Sequence, residues 1–160
     1  MKTINNVNLA SSSAYAKPMK WHKFLIYFSL WIGALNSIAT GISVYTGSHY
    51  GDSAAEIYDY FQGLQKTDAS FGVLYIALGM LLLVTRFKLA RYRKKAVNWL
   101  TWCYLLQPVQ NFAYNLAVYR STGFMPETFS LDLLSSLVVS LIMIIPTRIY
   151  YKKREELFTE

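Results

Sequence analysis

Residues 24–51, FLIYFSLWIGALNSIATGISVYTGSHYG, carry no charged side chain between Lys23 and Asp52. A run of this length exceeds the roughly 20 residues that an α-helix needs to cross about 30 Å of hydrocarbon. Three more uncharged runs follow. The second, between Asp68 and Arg86, has 17 residues, which at about 1.5 Å rise each reach roughly 26 Å and suffice if the flanking charges sit at the interfaces. The third lies between Lys95 and Arg120 and is rich in amides. The fourth has 15 residues between Asp132 and Arg148, lengthened by Phe129 to Leu131 and by snorkelling of Arg148.

Composition agrees with that reading: in 160 residues, 54% are hydrophobic, 16% aromatic and only 16% charged, with a mean hydropathy of +0.23. Four helices that are apolar all round cannot all be interior in a soluble chain of this size. The sequence therefore predicts an all-α, four-pass transmembrane helical bundle over 21–150, with spans at 24–46, 69–86, 96–119 and 130–148. A flexible tail over 1–20 precedes it and a short tail over 151–160 follows.

Of the 16 Lys and Arg residues, 14 fall in the segment before the first span, the loop 86–95 or the segment after the fourth. The other two loops keep only Lys66 and Arg120, with Asp52, Glu56, Asp59, Asp68, Glu127 and Asp132. The positive-inside rule then places both termini in the cytoplasm. The same placement explains the net charge of +7 as topology and contact with anionic headgroups at the cytoplasmic basic loop, rather than nucleic-acid binding. No signal-peptide core, lipidation box or glycosylation sequon is legible, which points to a bacterial cell membrane.

The two halves share a weak pattern. Asn36, Tyr45-Thr46-Gly47, an acidic loop, Asp68 and Thr85-Arg86 are echoed by Asn111, Tyr119, Thr122-Gly123, an acidic loop, Asp132 and Thr147-Arg148. They read either as two related hairpins in a parallel repeat or as convergence on the ends that hydropathy allows.

Two stripes bear on mechanism. Ser29, Gly33, Ser37 and Gly41 recur every fourth residue on the first span, and Gly72 and Gly79 lie on the second. This is the small-residue spacing that lets helices approach closely in lipid. On the third span Gln107, Gln110, Asn111, Tyr114 and Asn115 fall at i, i+3, i+4, i+7 and i+8, one polar stripe that avoids lipid. Its expected partners are Asn36, Thr40 and Ser43 on the first span and Ser135, Ser136 and Ser140 on the fourth. Pro108 is expected to kink the third span, and Pro146 to end or bend the fourth. Asp68 and Asp132 stand at the outer starts of their spans, as dipole-favoured caps or as carboxylates guarding an outward mouth. The outer loop is expected to hold a short amphipathic helix over Ala54 to Phe61.

Catalytic constellations are not apparent. One cysteine, Cys103, cannot build a redox pair or a thiolate zinc site, and His22 and His49 lie at opposite edges, unsuited to a shared metal or haem. No cofactor or metal is implied and the sequence reads as non-enzymatic. Two functions stay open, the first of them the leading reading and the second its alternative. One is an accessory, modulator or immunity-type protein that contacts another membrane protein or a second copy through its helices. The other is a small-solute or ion transporter or channel with a polar path along the third span. They part on whether the amide stripe borders a cavity or is filled by side chains.

Overall fold

The computed structural model describes residues 19–125 and 129–158. The expected N-terminal tail, except for its last two residues, and Glu127 lie outside them. The described residues open with α1 (Lys20–Phe24), a π-helical turn (Leu25–Ser29) and α2 (Leu30–Thr46), which run on as one rod with right-handed helical torsions at every junction. A 3-10 segment (Ser48–Ser53) and α3 (Ala54–Tyr60) form the next connection. α4 (Leu64–Ala90), α5 (Ala96–Thr122) and α6 (Phe129–Lys152) complete the fold, with a closing 3-10 turn (Glu155–Leu157). No strand occurs among the described residues.

Three helical runs, the first rod, α4 and α6, are long and apolar enough to cross a membrane. α5 has the length of α4 but spends it on amides. Large apolar side chains face outward along the rods: Tyr27, Leu35, Ile42, Val73, Met80, Leu134 and Ile142 are all more than half exposed. Such a surface suits lipid, not water.

The termini-proximal ends of the long helices gather Lys20, Lys23, Arg86, Arg148 and Lys152, and are called the basic end; the opposite ends, with Asp52, Asp59, Asp68 and Asp132, are the acidic end. The apolar core belongs to the basic half. Leu25, Leu30, Leu82, Leu89, Leu100 and Cys103 are almost wholly excluded from the surface and pack with Tyr104, Tyr151 and Phe158.

Along α2 and α4 the backbones nearly touch. A Cβ added at Gly72 would stand 2.7 Å from the Gly41 carbonyl oxygen and 2.7 Å from the Tyr45 nitrogen, and one at Gly41 would meet the Gly72 oxygen at 2.7 Å. Gly79 is closed in by Ile38 and by the Ala34 oxygen at 2.9 Å. Gly33, on the same expected stripe, is looser, with Leu82 Cδ1 at 3.7 Å as the nearest neighbour of its added Cβ. Small residues allow this approach, and dispersion along the seam rewards it.

The π turn leaves a backbone carbonyl off the α-helical ladder. Arg86 fills the vacancy: its Nε donates to the Ile26 oxygen at 3.0 Å while the guanidinium lies over Trp31 and Phe87, 4.8 and 4.9 Å from their centroids. Below it, Trp21 Nε1 donates to Thr147 Oγ1 at 3.2 Å, and His22 Nδ1 is 2.8 Å from the Tyr151 hydroxyl. His22 also stacks on Tyr92 and meets the edges of Tyr151 and Phe158. The two ends of the described chain are thereby tied together.

Two expectations need correction. Of the end or bend expected at Pro146, the end does not occur: α6 continues to Lys152, because Thr147 and Tyr151 beyond it are buried against the rest of the molecule and hold the last turns in place. Asp68 is not a helix-start cap, since α4 begins at Leu64 and puts Asp68 a full turn inside, with its side chain fully buried. Pro108 likewise sits within an unbroken α5, and the short helix expected in the connection is present at Ala54–Tyr60.

Candidate functional site

The packing is uneven. α4 seats α2 along its length and carries α5 on its other side, but α6 packs on α5 and scarcely touches α2. Only Ser140, Thr147 and Tyr151 of α6 are buried, a single narrow line. α6 therefore stands off in its acidic half, and a cleft opens between the helix pairs.

That cleft contains a cavity of about 360 Å³, near the lower end of the roughly 300–1,000 Å³ typical of small-molecule sites. α2 contributes Asn36, Ser37 and Thr40, and α5 contributes Gln107 and Asn111. α6 adds Ser135, Ser136 and Ser140; from α4, Tyr75 and Leu78 close the back. The lining holds no Lys, Arg, Asp or Glu. A second cavity of about 340 Å³ shares Asn111, Ser135 and Ser136 and extends towards the acidic end past Asn115 to Asp132, in the first turn of α6. Towards the basic end the cleft stops at the apolar core around Leu30, Leu82, Leu100 and Tyr104.

The polar stripe is thus divided among the cleft with its two cavities, the surroundings of Gln110 and those of Asp68. Gln107 and Asn111 face the first cavity, while Asn115 lines the second and turns its Nδ2 back to the Asn111 carbonyl at 2.8 Å. Gln110 lies apart, its Nε2 buried and without a hydrogen-bond partner among the described residues. Tyr114 joins another site altogether. Ser43, expected to face the stripe, instead offers its carbonyl to His49 Nδ1 at 3.2 Å and its hydroxyl to Ser48 at 3.0 Å.

Tyr114 reaches Asp68. The buried carboxylate accepts the Tyr58 hydroxyl on Oδ2 and the Tyr114 hydroxyl on Oδ1, each at 3.0 Å. His49 Nε2 lies 3.9 Å from Oδ2 and 3.3 Å from the Tyr114 oxygen. Because its Nδ1 faces a carbonyl, which can only accept, that ring nitrogen carries a hydrogen. Asp68 so joins the connection (His49, Tyr58), α4 and α5 at one point, and the hydrogen bonds offset the large cost of burying its charge. One step deeper, the Tyr75 ring meets Tyr114 edge-on with centroids 6.1 Å apart, and its hydroxyl donates to Asn111 Oδ1 at 2.7 Å. The carboxylate and the cleft are therefore linked through Tyr114, Tyr75 and Asn111.

Of these residues Tyr58, His49 and Tyr75 escape a reading of the sequence. Only Tyr75 has a signal there: Asp68, Tyr75, Leu82 and Leu89 recur every seventh residue and are all buried. Among the described residues no cluster of His, Cys, Asp and Glu is arranged to hold a metal. No protein-family description matches the sequence, and neither curated proteins nor solved structures include a significant match to it.

Proposed function

We propose that the chain is a four-pass protein of the bacterial cytoplasmic membrane, its basic end inside, and that the cleft is the outward-facing binding site of a transporter for a small, uncharged polar solute. The observation that carries this reading is the cavity itself, in which amides and hydroxyls from α2, α5 and α6, with Tyr75 of α4, surround about 360 Å³ free of charged groups. Polar groups inside a membrane are retained where they bind one another, water or a solute. Donors and acceptors in mixture suit a ligand that offers both, and the absence of lining charge disfavours ions. Closure towards the basic end by a dry core fits an outward-open state of an alternating-access cycle. The fourth crossing is assigned to α5, whose polar side faces the cleft and whose Trp102, Val109 and Leu116 are exposed.

The test is side-specific cysteine labelling in a Cys103→Ala background. Cysteines at 107, 111 and 136 are expected to react with a polar, impermeant thiol reagent added outside intact cells, and a transported solute in excess protects them. Protection of all three in folded protein without solute, whichever side is probed, would remove the reading. Orientation is checked in the same cells: a cysteine at 59 labels from outside and one at 91 or 153 does not. Labelling at 91 by the impermeant reagent would invert the topology.

One observation favours a second reading, the non-catalytic accessory or immunity-type protein. Because α6 scarcely touches α2, a helix from another membrane protein or a second copy can complete the bundle at that seam. In that case the same cysteines react in purified protein but are shielded in native membranes.

A further inference from the structure

We infer that the basic end carries a binding site for a phosphomonoester anion, independent of the cleft. α5 and α6 enclose a separate cavity of about 330 Å³ there, with Lys94, Arg148 and Lys152 around it and Asn98 as a neutral hydrogen-bonding group. Its apolar wall comes from Val97, Tyr151 and Phe158.

Three cations share this cavity with one carboxylate, Glu155, and no ion pair joins any of them among the described residues. Like charges gathered around one space repel, and an anion between them relieves that cost. Arg148 is held in place beside the cavity. Arg148 Nε donates to Thr101 Oγ1 at 3.3 Å, and Thr101 in turn donates to the Val97 carbonyl at 3.0 Å. The two Nη groups of Arg148 are left without a partner among the described residues, in the forked geometry that suits phosphate. Tyr151 is held by its hydrogen bond to His22, so the wall behind the cations is rigid. The first turn of α5, which supplies Val97 and Asn98, adds the partial positive charge of a helix start, a minor supplement to the three side chains.

A monoester dianion matches the excess of cations better than a diester monoanion. An apolar wall beside the cations suits the carbon portion of the ligand. The phosphate is carried either by a lipid headgroup, since the cavity lies where the rods leave the apolar belt, or by a soluble species.

The experiment uses the full-length protein in non-ionic detergent. Equal amounts of phosphatidic acid, a monoester, and phosphatidylglycerol, a diester, are offered, and retained lipid is read by native mass spectrometry. Phosphatidic acid is expected to be preferred, to fall about tenfold in Lys94→Gln/Lys152→Gln, as loss of two charge-assisted contacts implies, and to rise in Glu155→Gln. The control Lys20→Gln/Lys23→Gln removes the same charge from exposed positions that do not line the cavity, and it should retain phosphatidic acid nearly as well as the parent. In a second arm, without anionic lipid, phosphorus NMR follows inorganic phosphate. Line broadening that disappears in Lys94→Gln/Lys152→Gln assigns the site to phosphate alone. No broadening, with phosphatidic acid still selected, assigns it to the lipid. Equal loss in the control variant, or no preference between the two lipids, overturns the site in favour of unspecific surface charge. All of these substitutions are on exposed side chains, so folding is expected to survive them.

Discussion

Gly72→Leu is expected to destabilise the molecule more than any other single exchange on its helix faces. The added Cβ would fall 2.7 Å from both the Gly41 oxygen and the Tyr45 nitrogen, and these are main-chain atoms that no rotamer change can move. Overpacking in a core usually costs about 1–3 kcal/mol because side chains give way. Here the helices themselves must separate, so the cost is expected to reach or exceed about 3 kcal/mol. Gly33→Ala supplies the contrast. Its Cβ would rest at an ordinary 3.7 Å from Leu82, and stability should hardly change. Equilibrium unfolding in mixed micelles with rising sodium dodecyl sulfate gives both values, and a Gly72→Leu protein as stable as its parent would show that α2 and α4 do not meet at this distance.

Asp68→Leu is the second large effect. The substitution removes a fully buried acceptor from the hydroxyls of Tyr58 and Tyr114, which hold the connection and α5 to α4. An unsatisfied buried donor costs about 1–3 kcal/mol; both phenols are part-buried and Tyr114 keeps His49 Nε2 at 3.3 Å, so a loss of about 2 kcal/mol is expected from the pair. Asp68→Asn keeps one carbonyl acceptor and can donate to the other phenol, so its cost should be markedly smaller. The triple comparison of Asp68→Leu, Tyr58→Phe and the double variant isolates the contact: the double variant should lose less than the sum of the two single losses, since Tyr58→Phe removes one of the groups that Asp68→Leu leaves without its acceptor. Full additivity would mean that Tyr58 and Asp68 act separately.

The long helices are legible in the sequence because hydrocarbon tolerates so few charges that the gaps between them outline the rods. The same logic misplaces their ends. Lys66, Arg86, Lys88 and Arg120 all lie inside helices, since a long basic side chain can leave the apolar zone while its backbone stays helical. Asp68 suffers most from this: a charge taken as the boundary of a span is in fact inside the fold, and what makes its burial possible, two phenols and an imidazole from three other segments, is a long-range arrangement with no local trace. The amide stripe of α5 is legible from spacing alone. Its division between a cavity, Asp68 and the isolated Gln110 depends on where α6 stands, and α6 offers few large buried groups to fix that position. The glycine face is likewise visible, but spacing treats Gly33 and Gly41 alike, and only the path of α4 tells them apart.

The π turn at Leu25–Ser29 sets the phase of the first rod. A π turn is in effect one residue more than an α-helix needs at that point, and each α-helical residue advances the azimuth by about 100°. Everything on the N-terminal side of the turn is therefore rotated by roughly that angle relative to a rod wound regularly from Leu30 backwards. Trp21 and His22 thereby point at Thr147 and Tyr151, while Ser37 and Gly41 keep their places against α4 and the cleft. One rod thus serves two neighbours that lie in different directions, and the screw-like offset between its halves, clamped by Arg86, lets the seal at one end and the opening at the other coexist in a single helix.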